Sequence, residues 1–370
     1  MKKVIFISAL AIAAAVSCTK SDIVDTKFNE AISFENYIGR DAMTKAAVTD
    51  NGNIDEVTIG LYGYYTGAKK WDAAGVANPA ANLWSNDALA YAEAAGEKAA
   101  GWYTEEEKYW TNASDWYSFL AYAPMAADNN GVSVAGTAAN DVNVTYTTPV
   151  ADGKLTTSVD LLYAQVVNTN KVASVGLQFK HALSRVTVKA KAPGNTMGIQ
   201  FDVKNVTLSG TFNTTGTLNL ATAKAAATTD AADAGWSVVA ETGKTQAAYV
   251  FYNDTKGATI EGGVATDALT ETAVDYAGED NYLMMIPTDF TGTLSVTYTT
   301  IYEGNESNTM TKELPIATNF KMGKAYAITL AFEPVLDVIK FNVTVDEWGT
   351  EDEVTATGGN NPEDFAVKQN

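Results

Sequence analysis

The 370-residue chain has one cysteine and one histidine, and each scarcity excludes a class of site. A single thiol cannot form an internal disulfide, and a zinc site built from several histidines and cysteines is excluded as well. A Ser–His–Asp triad would have to use His181, yet no Gly-x-Ser-x-Gly turn accompanies it. Because His181 ends an apolar stripe, we interpret it as a packed residue or a strand cap. We therefore predict no catalytic residue, no metal site and no cofactor.

Basic residues are also few, since 25 Lys and Arg stand against 44 Asp and Glu, for a net charge of −19. An anionic surface argues against a nucleic-acid partner and against binding to anionic lipid headgroups. Among the acidic residues, Glu105–Glu107 form a charge run that is typical of a solvated loop. Asp50–Asn53 with Asp55 and Glu56 suggest either a calcium loop without full EF-hand spacing or an Asn-Gly turn. A pair of catalytic carboxylates, as in glycosidases, stays an open alternative because any two Asp or Glu can meet in space, but the sequence singles out no pair.

The first 18 residues have the order of an export signal. Met1–Lys3 is basic, and Val4–Val16 is an uncharged apolar run shorter than a membrane-spanning helix. The run ends in Ala15-Val16-Ser17-Cys18, which has the form of a bacterial lipobox. We predict a lipoprotein signal peptide with Cys18 as the lipidated residue and the lipid as the only membrane anchor. The alternative is a secreted protein with a chance cysteine.

Alternation of apolar and polar residues recurs along most of the chain and predicts half-buried strands. Helical signal is weak, and only residues 80–100 suggest a short helix or a loop. Ala192-Pro193-Gly194-Asn195 interrupts the strand pattern near the middle. We therefore predict an all-β protein with β-sandwich domains at 46–192 and 193–350, followed by a polar tail at 351–370. The stripes include Val57/Ile59/Leu61, Val142/Val144/Tyr146, Val175/Leu177/Phe179, Val186/Val188/Ala190, Ile199/Phe201/Val203, Leu294/Val296/Tyr298, Tyr326/Ile328/Leu330/Phe332 and Ile339/Phe341/Val343/Val345.

Aromatic residues are dense between Trp84 and Trp116, where exposed rings could stack on sugars or buried rings could fill a sandwich core. Part of this region and two later segments resemble the fimbrillin-like family of Bacteroidales. They keep the family's order behind the lipobox and cover nearly the whole chain. The matching segments are Trp102-Tyr103, Lys108-Tyr109-Trp110, Trp116–Pro124, Asp160–Ala164 with Leu177–Val186, and Phe341–Trp348.

The resemblance implies two transthyretin-like antiparallel β-sandwich domains and a chain without enzymatic activity. It implies an outer-membrane lipoprotein precursor whose residues 19–45 are a propeptide carrying a temporary strand. Proteolysis would then trigger assembly into a type V pilus by strand exchange at the cell surface. The implied partners are other copies of the chain, other fimbrial subunits and a host protein or glycan receptor. His181 becomes a framework residue of the family.

Three segments suit such an exchange. Residues 31–34, with Tyr37 and Ile38 beyond, are the candidate temporary strand. Met43-Thr44-Lys45-Ala46 resembles the family's Thr-Arg-Ala maturation site with lysine in place of arginine, so Lys45 and Arg40 are both candidate cleavage sites. The candidate donor residues are Ile339, Phe341, Val343 and Val345. The alternatives are that this stripe completes its own sheet or that the tail around Val354 or Phe365 is donated.

A structural subunit of a fimbria is the leading functional hypothesis. The rivals are a tip adhesin or glycan-binding surface lipoprotein and, in a third class, a surface hydrolase. A stalk subunit needs a donor strand, whereas a hydrolase needs carboxylates gathered in a cleft.

Replacement of Cys18 by alanine tests the lipid anchor. We expect Cys18→Ala to abolish labelling with an alkyne fatty acid and membrane retention, since the thiol is the acceptor of the lipid. The wild-type chain labelled in parallel is the reference. Labelling that persists in the variant would disprove the assignment.

Overall fold

The computed structural model describes residues 30–38, 54–96, 98–126, 131–156, 159–192, 199–224, 235–238, 242–260, 270–272, 282–307, 309–333 and 338–347. These ranges contain β-strands and two short 3-10 helices, Ile54–Glu56 and Ala139–Asp141, but no α-helix. No helix in these ranges is long and apolar enough to cross a membrane. The predicted all-β fold is confirmed.

The three longest strands, with 15 to 17 residues, lie in the second half of the chain. They are β1 (Phe34–Ile38), β2 (Ile59–Gly67), β3 (Trp84–Ala92), β4 (Gly101–Thr104), β5 (Trp116–Ala123), β6 (Val132–Ala135), β7 (Asn143–Thr147), β8 (Val150–Ala151), β9 (Lys154–Leu155), β10 (Leu162–Thr169), β11 (Val175–His181), β12 (Ser184–Ala192), β13 (Ile199–Asn213), β14 (Thr215–Asn219), β15 (Trp236–Ser237), β16 (Lys244–Ile260), β17 (Thr270–Thr272), β18 (Leu283–Met285), β19 (Thr288–Tyr302), β20 (Asn305–Glu306), β21 (Met310–Phe320), β22 (Lys324–Glu333) and β23 (Val338–Glu347). Residues 80–100 therefore contain β3, and the short helix considered there is wrong.

The first sheet has the order β1-β11-β10-β5-β2-β3-β4 within the described residues. Its pairings are antiparallel except that of β1 with β11, which is parallel. The strands β2 and β5 lie in its middle and are buried on both faces. Phe119 and Ala121 of β5 face one core, while Leu120 and Tyr122 face another. Double burial explains why Trp116–Ala123 shows no alternation in the sequence.

The described strands enclose three apolar cores, which are called the first, the middle and the second core. The first core lies against the outer face of the first sheet and includes Phe34, Trp84, Phe119 and Leu177. The middle core separates the first sheet from the sheet β15-β14-β7-β6. The second core is built from β12 and β22 on one side and from β13, β16, β19 and β21 on the other. The apolar stripes predicted in β7, β11, β12, β19 and β22 are buried in these cores.

Strand pairing crosses the predicted domain boundary at 192/193 in both directions. β12 precedes this position but pairs in parallel with β22, and β14 follows it but pairs with β7. Main-chain and side-chain bonds near residues 181–184 add to this connection, since Ser184 Oγ donates to the Lys321 carbonyl at 2.7 Å. The division into 46–192 and 193–350, and its transthyretin-like form, stay predictions.

A close approach of two backbones in the second half provides a test of this packing. Gly292 of β19 pairs with Gly210 of β13, and a Cβ at Gly292 would lie 2.3 Å from the Ser209 carbonyl oxygen. We expect Gly292→Ala to lower the free energy of unfolding by about 1–3 kcal/mol, since backbone atoms must move to admit the methyl group. Thermal unfolding followed by circular dichroism measures the loss.

Gly101→Ala in β4 is the matched control for this substitution. Its added Cβ would meet only the Tyr103 ring, at 3.7 Å, which is an ordinary contact. Equal melting temperatures for Gly292→Ala and the wild-type chain would contradict the packing described here.

Candidate functional site

The candidate site is the groove in the first sheet that β1 occupies. One wall of the groove is β11, to which β1 is paired from Phe34↔Val175 to Ile38↔Phe179. The Val175 amide donates to the Ser33 carbonyl at 2.8 Å, and Ser33 Oγ donates to the Ala173 carbonyl at 2.7 Å. β1 thus covers the backbone groups of an otherwise open edge.

The opposite wall is the segment 108–110, which follows β4 at the other end of the same sheet. The Ile32 amide donates to the Lys108 carbonyl at 2.8 Å, and the Trp110 amide donates to the Glu30 carbonyl at 3.1 Å. β1 also contacts β4 itself. Residues 30–38 therefore connect the two ends of the sheet and close the space between them.

Apolar side chains on the inward face of this segment fill the first core. Ile32 and Phe34 are both 7% exposed. The Phe34 ring makes edge contacts with the rings of Trp84 and Phe119, at centroid distances of 5.5 and 5.6 Å. Burying a side chain of this size is worth about 1.5–3 kcal/mol. Of residues 31–34, which the sequence suggested as the start of a temporary strand, Phe34 begins β1 and Ala31 forms a single bridge with Tyr109. Their temporary role stays a prediction.

An ion pair at the mouth of the groove joins an exposed carboxylate to a half-buried ammonium group. Glu30 forms an ion pair with Lys171. On the wall, Tyr109 Oη donates to Glu107 at 2.9 Å, and this hydrogen bond raises the pKa of the Tyr109 phenol. Because Glu30 is exposed and water screens its charge, backbone pairing and apolar contact are the main interactions that hold residues 30–38 in the groove.

Several predicted site residues lie outside the described residues. These are Cys18, Arg40, Lys45 and the tail at 351–370. The donor candidates do lie in a described strand, because β23 contains Ile339, Phe341, Val343 and Val345. This strand pairs antiparallel with β22 from Lys324↔Glu347 to Glu333↔Val338 and forms one edge of its sheet. Val343 is partly buried against the second core.

His181 forms a buried pair with Asp160 at the junction between β11 and β12. Its Nδ1 lies 2.9 Å from Asp160 Oδ2 and 3.2 Å from Oδ1. The next carbonyl, that of Ala182, accepts a hydrogen bond from Trp236 Nε1 at 2.9 Å. The pair therefore lies where the first sheet connects to the second half of the chain, which is a position for a framework residue.

The acidic segments that the sequence suggested as competing sites are exposed wherever the structure describes them. Glu105–Glu107 are exposed, as are Asp55 and Glu56, and Asp50–Asn53 lie outside the described residues. In the described part of the chain, no group of three or more His, Cys, Asp or Glu side chains could hold a metal ion.

The aromatic run mainly fills the first core. Trp84, Trp110 and Tyr117 are almost fully buried, while the half-buried Trp102 makes an edge contact with Tyr91 at 5.6 Å. The core interpretation of this run is therefore the one the packing supports.

Two features of the groove escaped sequence reasoning. The wall at 108–110 could not be found, because its contact with residues 30–32 joins segments almost 80 positions apart. Asn36 was also missed, although alternation from Ile32 through Phe34 places it on the inward face.

Comparison with known proteins agrees with this architecture. The fimbrillin-like family profile matches residues 44–348. A fimbrial protein from Bacteroides vulgatus has a similar fold, with a TM-score of 0.61 and 15% identity, covering 86% of this chain and 100% of its own. A fimbrial assembly protein from Parabacteroides distasonis aligns at a TM-score of 0.39 and 13% identity, covering 85% of this chain and 99% of its own. No curated protein sequence matches. Since the profile covers most of its length, the chain belongs to the fimbrillin-like family.

Proposed function

We propose that this chain is a structural subunit of a cell-surface fimbria that polymerises by exchange of β1 for a strand of another subunit. The observation that carries the proposal is the position of β1. It is the first described strand of the chain, it pairs with β11 while residues 30–32 before it bond to segment 108–110, and it buries Phe34 in the first core. Membership in a fimbrillin-like family supports a fimbrial role and not an enzymatic one.

Loss of β1 would leave a groove that is unstable in water. The backbone groups of β11 and of segment 108–110 would lose their partners, and an apolar cavity lined by Trp84 and Phe119 would open. Open edges and exposed apolar surface both favour the addition of a strand. Because the acceptor groove and the donor strand are different surfaces, the contact is head-to-tail and produces an open filament.

The lipid anchor and the propeptide fit one sequence of events. Cys18 would hold the precursor at the outer membrane, and cleavage after β1 would separate the lipidated segment from the folded body. The chain contains only two arginines, Arg40 and Arg185. Arg185 is the second residue of β12 and is paired with β18 on one side and β22 on the other, which protects its peptide bond. An arginine-specific protease would therefore act at Arg40, two residues after β1.

The donor strand has two candidates, β23 and the tail. β23 is an edge strand, so its release would break pairing with β22 alone. Donation would nevertheless break its ten residue pairs with β22, so contacts in the neighbour's groove must replace them. Donation of β23 therefore competes with its role in its own sheet, and the tail at 351–370 stays the alternative.

Cleavage of the folded chain tests the propeptide assignment. We expect an arginine-specific endoprotease to cut once, after Arg40, because sheet pairing shields Arg185. N-terminal sequencing of the body should then begin at Asp41, and subunits of native filaments should begin there or, after cleavage at Lys45, at Ala46. An Arg40→Gln chain is the control that should resist the enzyme. Filament subunits that still begin at Cys18 would refute the assignment.

Charged substitutions separate the two roles of β23. If this strand is donated, Phe341→Glu with Val343→Glu should give a folded monomer that no longer polymerises, as seen by circular dichroism and negative-stain electron microscopy. If it serves only its own sheet, the same variant should be unfolded or degraded.

Deletion of residues 351–370 is the matched experiment on the tail. Normal filaments after this deletion remove the tail as the donor. Loss of filaments with a folded monomer assigns the donor role to it and contradicts donation by β23.

A further inference from the structure

Asn36 is a polar residue on the inward face of β1. The neighbours on its strand alternate, since Phe34 is buried and Glu35 is exposed. The register places Asn36 opposite Leu177 of β11, which is fully buried in the first core. An asparagine thus occupies a position whose counterparts on β11 are apolar.

The side chain of Asn36 is not satisfied at this position. Both its amide nitrogen and its amide oxygen are buried, and neither forms a hydrogen bond within the residues that the structure describes. A buried amide without partners destabilises a fold relative to an apolar side chain of similar shape. The resident strand therefore binds its groove less tightly than its backbone pairing would allow.

The sequence of β23 repeats the period-two pattern of residues 32–38 with this one polar position replaced. Ile32-x-Phe34-x-Asn36-x-Ile38 corresponds to Ile339-x-Phe341-x-Val343-x-Val345. The first two positions are identical and the fourth is aliphatic in both. At the third position, valine replaces the unsatisfied asparagine.

We propose that the Asn36 position is an apolar subsite of the groove, which the resident strand fills badly and which selects an incoming strand with an aliphatic side chain. The occupant is β23 of a second copy of this chain, with Val343 at the position of Asn36. This proposal rests on the proposed function and adds to it a side-chain preference of the groove for the incoming strand. With similar backbone pairing of either strand to the groove walls, the groove distinguishes the two strands at one side chain.

The resident strand can be tested without any assembly. After cleavage at Arg40, the wild-type N-terminal fragment should leave the body faster than the fragment of Asn36→Val by roughly tenfold or more, the effect of removing one buried unsatisfied amide. Size-exclusion chromatography with mass spectrometry measures the bound fraction over time. The uncleaved Asn36→Val chain should also melt at a higher temperature than the wild-type chain.

Glu35→Val is the matched control, because it adds the same side chain to the outward face of β1. Its effects on the release rate and on the melting temperature should be much smaller than those of Asn36→Val. Asn36→Ala, which removes the amide without adding bulk, should shift both in the same direction as Asn36→Val. Release and melting of Asn36→Val that equal those of the wild-type chain would overturn the proposal.

The incoming strand is tested with a synthetic peptide of residues 338–347. This peptide should bind the cleaved body, and the same peptide with Val343→Asn should bind roughly tenfold more weakly. Equal affinities contradict the apolar subsite. Filaments that form without loss of β1 would refute strand exchange itself, whatever the peptides do, so the two failures are distinguishable.

Discussion

The need to pair the backbone groups at a sheet edge governs this molecule. The first sheet ends in β11 on one side and in β4 with segment 108–110 on the other, and residues 30–38 bond to both. A buried N–H or C=O without a partner costs about as much as a lost hydrogen bond, so such a sheet must hold some strand there. Any strand of suitable pattern would meet this requirement, which is why we propose that the position exchanges its strand.

The walls of the groove are well supported, because the central strands of the first sheet pack on both of their faces. β2 and β5 bury both faces, one against the first core and the other against the middle core. The middle core also contains a residue of β14, and β12 continues the chain from β11 into the sheet of β22. Removal of β1 therefore affects an edge, while the walls that would receive a new strand keep their other contacts.

The first and the last described strands are similar in pattern but differ in pairing. β23 carries large apolar residues at every second position from Ile339 to Val345, whereas Asn36 interrupts the corresponding pattern of residues 32–38. β1 pairs in parallel with β11, and residues 30–32 before it bond to segment 108–110, while β23 pairs antiparallel with β22 at an edge of its described sheet. A strand paired on one side is easier to remove or to add than a strand paired on both sides.

The amino-acid sequence by itself determined the all-β class, the faces of β7, β11, β12, β19 and β22, and the apolar face of residues 32 and 34, because alternation specifies which side of a strand is apolar. It also contained the stripe of β23. Only the tertiary structure decided that β1 runs parallel to β11, that β5 is buried on both faces, that strands pair across 192/193, and that Asn36 has no hydrogen-bond partner among the described residues. These depend on which distant segment supplies the neighbour, and a pattern of period two says which face is buried but not against what.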